Sequence, residues 1–147
     1  MRIKFCGITN KEDAVHAVSL GVDALGFIFY KASPRCAVEE VVQEIVYFLP
    51  PFISAVGVFV NHSEADVKNI MQQCHLDFAQ LHGDESPELC RAIGLRCIKA
   101  LRVSDHADIE KIGAYQGNVS GILLDTKSES QYGGTGKVFD WGLAVEA

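Results

Sequence analysis

The chain has 147 residues, of which 48% are hydrophobic and 22% charged, a composition that can bury one core and that differs from disordered proteins. Its formal net charge of -6 argues against a protein that binds nucleic acid through a basic surface. No apolar run reaches the roughly 20 residues that a membrane helix needs, and no secretory leader is recognisable. We therefore expect one domain over residues 1–147 of a cytoplasmic protein with no membrane partner.

Six βα units are predicted, because short apolar runs alternate with amphipathic segments of helical period. The predicted strands cover residues 2–7, 24–29, 53–60, 78–81, 96–101 and 121–124. Helices are predicted over residues 11–20 and 38–48, after Ser63, from Ser86-Pro87, over about 105–115 and near Trp141. Strict alternation with near-continuous apolar strands favours a parallel sheet covered by helices.

Six units leave two α/β architectures open. One is an open, doubly wound sheet. The other is a (β/α)8 barrel of which this chain carries only six units, since a closed barrel needs eight and typically about 250 residues, occasionally nearer 200.

Cys6 ends the first predicted strand, directly before the turn Gly7–Asn10. In a parallel barrel the C-terminal ends of all strands meet at one mouth. A thiol is mostly protonated at neutral pH, so base chemistry needs a nearby cation. Lys4, two residues earlier on the same strand face, could supply it. The alternative is a buried structural cysteine, which the sequence supports equally.

Asp125 follows the apolar run Ile122–Leu124 at the end of the sixth predicted strand. Apolar surroundings would raise the pKa of its carboxyl group and allow it to act as a general acid. The alternative is a loop aspartate that caps a turn. If both strand ends reach the mouth, the thiol of Cys6 and the carboxyl of Asp125 could act on one substrate.

Arg35 stands in a Ser-Pro-Arg loop after the second strand. Its guanidinium is a planar, two-pronged donor suited to a carboxylate or a phosphate, although a solvated loop arginine is as consistent with the sequence. His82 directly follows the fourth strand and is expected at the same mouth. We predict that Arg35 and His82 contact the substrate.

The glycine-rich segment of residues 132–137 does not match a phosphate-binding loop, because Gln131 and Val138 replace the glycine and the hydroxyl residue that this motif requires. Gly133 and Gly134 still allow unusual backbone angles and a close approach to a ligand. We therefore predict that these two glycines border the substrate.

The remaining cysteines indicate neither a disulfide framework nor a zinc site, because they are widely spaced and form no C-x-x-C pair. They are Cys36, Cys74, Cys90 and Cys97. Burial as small hydrophobic residues is the favoured interpretation, and a cysteine-dependent redox or metal protein is disfavoured.

Five motifs in order along the chain closely resemble the phosphoribosylanthranilate isomerase family of tryptophan biosynthesis. They are Lys4–Thr9, Gly26–Tyr30 with Ser33–Arg35, Val56–Asn61, Gln80–Gly83, and Leu124–Thr126 with Gly133–Gly136. The resemblance implies a (β/α)8 barrel that performs an Amadori rearrangement on a phosphorylated small molecule, with no cofactor and no metal. It implies that Asp125 protonates the furanose ring oxygen, that Cys6 removes the C2 proton, and that Arg35 holds the anthranilate carboxylate.

The family pattern continues for about two more βα units, whose glycine-rich loops bind the substrate phosphate, whereas this sequence ends at Ala147. By the lengths typical of small barrels, it covers roughly 70% of such a chain. We expect an isomerase, the alternative being a noncatalytic truncated barrel that serves as a binding or assembly module. In either case the first and sixth strands would be open edges that favour self-association.

Overall fold

The computed structural model describes residues 1–94, 96–126 and 142–146. In these residues the strands are β1 (Lys4–Cys6), β2 (Ala24–Ile28), β3 (Ser54–Phe59), β4 (Phe78–Leu81), β5 (Cys97–Val103) and β6 (Gly121–Thr126). The helices are α1 (Lys11–Ser19), α2 (Glu39–Tyr47), α3 (Glu64–Gln73), α4 (Pro87–Ile93), α5 (His106–Glu110), α6 (Ile112–Tyr115) and α7 (Gly142–Glu146). The glycine-rich segment that includes Gly133 and Gly134 lies outside the described residues.

The six strands pair in parallel in the order β1-β2-β3-β4-β5-β6. A doubly wound sheet reverses its strand order at a switch point, and no reversal occurs in this sheet. The uninterrupted order is that of a (β/α)8 barrel, of which six units are present here. The predicted fold class is therefore confirmed, and the doubly wound alternative is wrong.

The sheet curls strongly, as one hydrogen bond between distant strands demonstrates. The Lys4 ammonium group on β1 donates to the side-chain oxygen of Gln80 on β4. In a flat sheet these strands would lie three spacings of about 4.8 Å, or about 14 Å, apart. Two side chains anchored so far apart and directed to the same face meet only if the sheet curves toward that face, as the wall of a barrel does.

Local side-chain hydrogen bonds cap the helix ends. The Asn10 side chain accepts a hydrogen bond of 2.8 Å from the Asp13 N–H, and Ser63 caps α3 in the same way. Pro87 occupies the first turn of α4, where the missing N–H costs nothing. These local signals set the direction in which each helix leaves the sheet.

Between the sheet and the helices lies a continuous core that contains Leu25, Phe27, Phe59, Ala79 and Leu81, each at most 1% exposed. This packing leaves the other face of the curled sheet for polar side chains at the strand ends. No helix in the described part of the chain is both long enough and apolar enough to cross a membrane.

Two elements differ from the sequence-based prediction. The single helix expected over residues 105–115 is divided into α5 and α6, and Gly113 lowers the helix propensity of the second piece. β6 continues to Thr126, so Asp125 lies within the strand rather than in a loop after it. Its side-chain direction is consequently set by the strand register.

Candidate active site

The strand register places the main candidate residues on one face of the sheet. Cys6 pairs with Gly26, Val58 with Gln80, and Gln80 with Ile98. Side chains in register on parallel strands point to the same face, and alternate residues along a strand share it. By this count Cys6, Gln80 and Asp125 all point to the concave face.

Cys6 is exposed, so the alternative of a buried structural cysteine is wrong. Its neighbour on β2 is Gly26, and a Cβ atom at that position would lie 2.8 Å from the Cys6 sulfur. The absence of a side chain at Gly26 therefore makes room for the thiol at the mouth. The Lys4 Nζ lies 3.9 Å from the same sulfur, as the sequence predicted for a cation beside the thiol.

The environment of Lys4 is largely desolvated. Burial lowers the pKa of Lys4 below its ordinary value, while its charge interaction and hydrogen bond with Cys6 act in the opposite direction. A neighbouring cation is the feature that reactive cysteines generally have. The geometry therefore places the cation that base chemistry requires within 3.9 Å of the Cys6 sulfur.

Arg35 crosses over the turn that follows Cys6. Gly7 has a φ of 90°, a conformation that side chains rarely adopt, and a Cβ atom there would lie 2.6 Å from the Arg35 Nη1. The backbone angle therefore favours glycine, and a side chain at this position would displace the Arg35 guanidinium. The Arg35 Nη1 donates a 2.8 Å hydrogen bond to the Cys6 carbonyl, which fixes an exposed guanidinium beside the thiol.

Asp125 is held from two sides at the end of β6. Its Oδ2 lies 3.0 Å from the His82 Nε2, and its Oδ1 accepts a 2.9 Å hydrogen bond from the Thr126 N–H. The hydrogen bond from His82 holds the pKa of the Asp125 carboxyl below its usual value and outweighs the effect of burial. The expectation that apolar neighbours raise this pKa is wrong, because a donor rather than an apolar group faces the carboxylate.

A continuous series of polar contacts joins Cys6 to Asp125. It runs from the Cys6 sulfur to Lys4, from Lys4 to the Gln80 oxygen, and from the Gln80 nitrogen to the His82 Nδ1 at 2.9 Å. The His82 Nε2 then contacts Asp125. We call these five residues the polar relay. Gln80, which sequence reasoning missed, could have been noticed as an amide inside the apolar strand Phe78–Leu81.

The loop that carries His82 is fastened by a buried ion pair, which sequence reasoning also missed. The Lys99 Nζ lies 2.9 Å from the Glu85 carboxylate and donates to the carbonyls of Leu81 and Gly83. Glu85 in turn accepts from the N–H groups of Gly83 and Asn61. Lys99 is 1% and Glu85 3% exposed. Because the pair satisfies the loop backbone, it fixes where His82 leaves β4.

No cluster of three metal-ligating side chains is present among the residues that the structure describes. The chemistry available at the mouth is that of a thiol beside a cation, a carboxylate beside an imidazole, and a guanidinium. This set can transfer protons at two positions of one small anionic ligand.

Comparisons with known proteins agree with this arrangement. A family model for N-(5'-phosphoribosyl)anthranilate (PRA) isomerase matches residues 3–147. The N-(5'-phosphoribosyl)anthranilate isomerase of Trichlorobacter lovleyi is 49% identical over 147 residues, which make up 100% of this chain and 71% of that protein.

Two solved structures extend the likeness to three dimensions. The phosphoribosyl anthranilate isomerase of Thermotoga maritima is 44% identical with a TM-score of 0.91, over 99% of this chain and 71% of that one. A phosphoribosyl anthranilate isomerase in complex with reduced 1-(o-carboxyphenylamino)-1-deoxyribulose 5-phosphate is 40% identical with a TM-score of 0.86, over 99% and 69%. With its barrel strand order and a family match that spans nearly its whole length, the chain belongs to the N-(5'-phosphoribosyl)anthranilate isomerase family.

Proposed function

We propose that this chain catalyses the Amadori rearrangement of N-(5'-phosphoribosyl)anthranilate to 1-(2-carboxyphenylamino)-1-deoxyribulose 5-phosphate, with Asp125 as general acid and Cys6 as general base. The observation that carries the proposal is the polar relay, which joins a thiol and a carboxylate on the same concave face of a barrel sheet. The ligand of a related solved structure is a reduced form of this product.

In the first step Asp125 donates a proton to the furanose ring oxygen. The bond from this oxygen to C1 breaks, and the nitrogen lone pair forms a C1=N double bond, which gives an open-chain Schiff base. Because His82 lowers the pKa of Asp125 in the free protein, the carboxylate has to gain its proton once the substrate is bound. The negative charges of the substrate carboxylate and phosphate raise a neighbouring carboxyl pKa and favour this protonation.

In the second step the Cys6 thiolate removes the proton from C2. The released electron pair forms a C1=C2 double bond, and the nitrogen recovers its lone pair to give an enolamine. Protonation at C1 and loss of the hydroxyl proton at C2 then yield the ketone. The Lys4 ammonium, 3.9 Å from the sulfur, stabilises the thiolate that begins this step. No electrons enter or leave, so the reaction needs no redox cofactor.

Arg35 is the proposed anchor of the anthranilate carboxylate. It lies beside Cys6 and can bind a carboxylate through two nitrogen atoms. His82, at the mouth, is proposed to contact the substrate in addition to its contact with Asp125. Gly133 and Gly134 remain proposed substrate neighbours on the basis of the sequence.

Replacing Arg35 by alanine should mainly raise KM, because the guanidinium orients a group remote from the transferred protons. Loss of a charge-assisted hydrogen bond of about 1.5 to 3 kcal/mol corresponds to an increase of about tenfold to hundredfold. Steady-state kinetics measure this, with Arg96→Ala as the control, since Arg96 is an exposed arginine directly before β5, at the end of the strands opposite the mouth. An unchanged KM in Arg35→Ala would contradict the anthranilate assignment.

We also propose that the 147-residue polypeptide associates through its sheet edges. β1 and β6 each have one neighbour in the described sheet, and Ile3 and Phe5 at the β1 edge are 40% and 41% exposed. Apolar edges of this kind seek partners. Sedimentation velocity at micromolar concentration should show oligomers, which Ile3→Lys reduces and Tyr47→Lys on α2 does not. A compact monomer that unfolds cooperatively would contradict this.

The activity is tested by an isomerase assay on the purified 147-residue chain, beside a chain extended to eight βα units. Product formation that depends on Cys6 and Asp125 supports the proposal. Binding of the product without turnover in both chains would instead favour the alternative, a noncatalytic binding module.

A further inference from the structure

Gln80 lies at the centre of the polar relay and belongs to no step of the reaction. Its side chain is 2% exposed, between the Lys4 ammonium on one side and the His82 Nδ1, 2.9 Å away, on the other. A primary amide has one end that only accepts and one end that only donates hydrogen bonds. Its orientation therefore determines which hydrogen bonds both neighbours can make.

The contacts fix that orientation in one direction. An ammonium group can only donate, so the Gln80 oxygen faces Lys4 and the amide nitrogen faces His82. The His82 Nδ1 must then accept, which leaves the proton of a neutral imidazole on Nε2. This N–H points at the Asp125 carboxylate at 3.0 Å. Every donor in the relay consequently faces an acceptor. Lys4 donates to Cys6 and to Gln80. Gln80 donates to His82, and His82 donates to Asp125.

We propose that Gln80 is a positioning residue, which donates to the His82 Nδ1 and so reinforces the Nε2–H tautomer that Asp125 accepts from, and which holds the Lys4 ammonium beside Cys6. One buried amide thereby orients both Lys4, beside the proposed base Cys6, and His82, beside the proposed acid Asp125. The significance of this for catalysis rests on the roles proposed above for Cys6 and Asp125. The tautomer itself is a property of the free protein.

Nitrogen NMR of the histidine-labelled 147-residue chain tests the inference without substrate. The His82 resonances are identified by their loss in His82→Gln. In the wild type at neutral pH we expect a proton on Nε2 and none on Nδ1. Gln80→Met keeps the volume but removes both hydrogen bonds, so the His82 Nδ1 resonance should shift because Nδ1 loses its donor, while Asp125 still favours the proton on Nε2. Gln80→Glu keeps the shape but offers His82 only an acceptor, so the ring should carry a proton on Nδ1.

Kinetics of the same variants measure the consequence for catalysis in whichever chain length is active. Gln80→Met should lower kcat by about tenfold to hundredfold, the factor expected for hydrogen bonds to charged groups, with little change in KM. Gln73→Met, at an exposed glutamine of α3, is the matched control and should change neither value.

Three results would overturn the inference. They are an Nδ1–H tautomer in the wild type, His82 resonances in Gln80→Met that equal those of the wild type, and an unchanged kcat in Gln80→Met. The first needs no variant, so a failure of Gln80→Met to fold would not remove the test. If Cys6→Ser and Asp125→Asn retain full activity while the tautomer is as expected, the proposed function is wrong and the positioning role of Gln80 in the free protein stands.

Discussion

Replacing Cys6 by serine, or Asp125 by asparagine, should lower kcat of the isomerase reaction by about 10²- to 10⁴-fold, the range typical of one general acid or base. Serine has nearly the same shape as cysteine but is a far weaker acid, so the C2 proton loses its acceptor. Asparagine keeps the position of the Asp125 side chain but cannot donate a proton to the ring oxygen as a carboxylic acid does.

Two matched variants separate these effects from general damage. Cys36→Ser removes a partly exposed thiol, and Glu44→Gln removes an exposed carboxylate on α2; both should keep near-wild-type kcat. Circular dichroism should show the same fold in all four proteins. A loss of less than about tenfold in Cys6→Ser or Asp125→Asn would contradict the assigned roles, because proton-transfer catalysis is worth more than that.

Lys99→Met should destabilise the protein by about 3 to 5 kcal/mol, because removal of one partner leaves a buried charge without compensation. Glu85 would keep its backbone donors but lose the cation 2.9 Å away. Domains of this kind are stable by only about 5 to 15 kcal/mol, so the loss is a large share of the total. Urea denaturation followed by circular dichroism measures it.

The same substitution at an exposed ion pair is the control. Lys68 pairs with Glu64 one turn away on α3, and Lys68→Met should cost less than about 1 kcal/mol, as exposed pairs contribute little. The double variant Lys99→Met/Glu85→Leu should recover part of the stability, because no lone charge remains. Equal losses in Lys99→Met and Lys68→Met would show that the buried pair does not fasten the loop.

Much of the fold could be predicted from the sequence because its signals are local. The cap at Asn10 and the proline that begins α4 act within one turn of chain, and the apolar runs specify the strands. The same signals placed Cys6, His82 and Asp125 at strand ends. The division into α5 and α6 was not predictable in this way, because the periodicity continues across Lys111.

The electrostatic properties of the site could not be predicted, because they depend on contacts between distant segments. Gln80 meets Lys4 across 76 positions of sequence, through the curvature of a sheet that no local pattern describes. The pKa of Asp125 follows from the neighbour His82, 43 positions away, rather than from the apolar residues beside it in the chain. A polar residue within an apolar strand, as at Gln80 and Lys99, was the available signal.

The division of labour between Asp125 and Cys6 is tested most directly by trapping the Schiff base with sodium borodeuteride during a single turnover. Reduction of the Schiff base places deuterium on C1, whereas reduction of the ketone product places it on C2, so the two species are distinguished by mass spectrometry of fragments. We predict that Cys6→Ser accumulates material labelled at C1, because ring opening proceeds and C2 deprotonation does not. Asp125→Asn should accumulate none above the uncatalysed level. Label at C1 in Asp125→Asn and not in Cys6→Ser would contradict the assignment of Asp125 as the acid and Cys6 as the base.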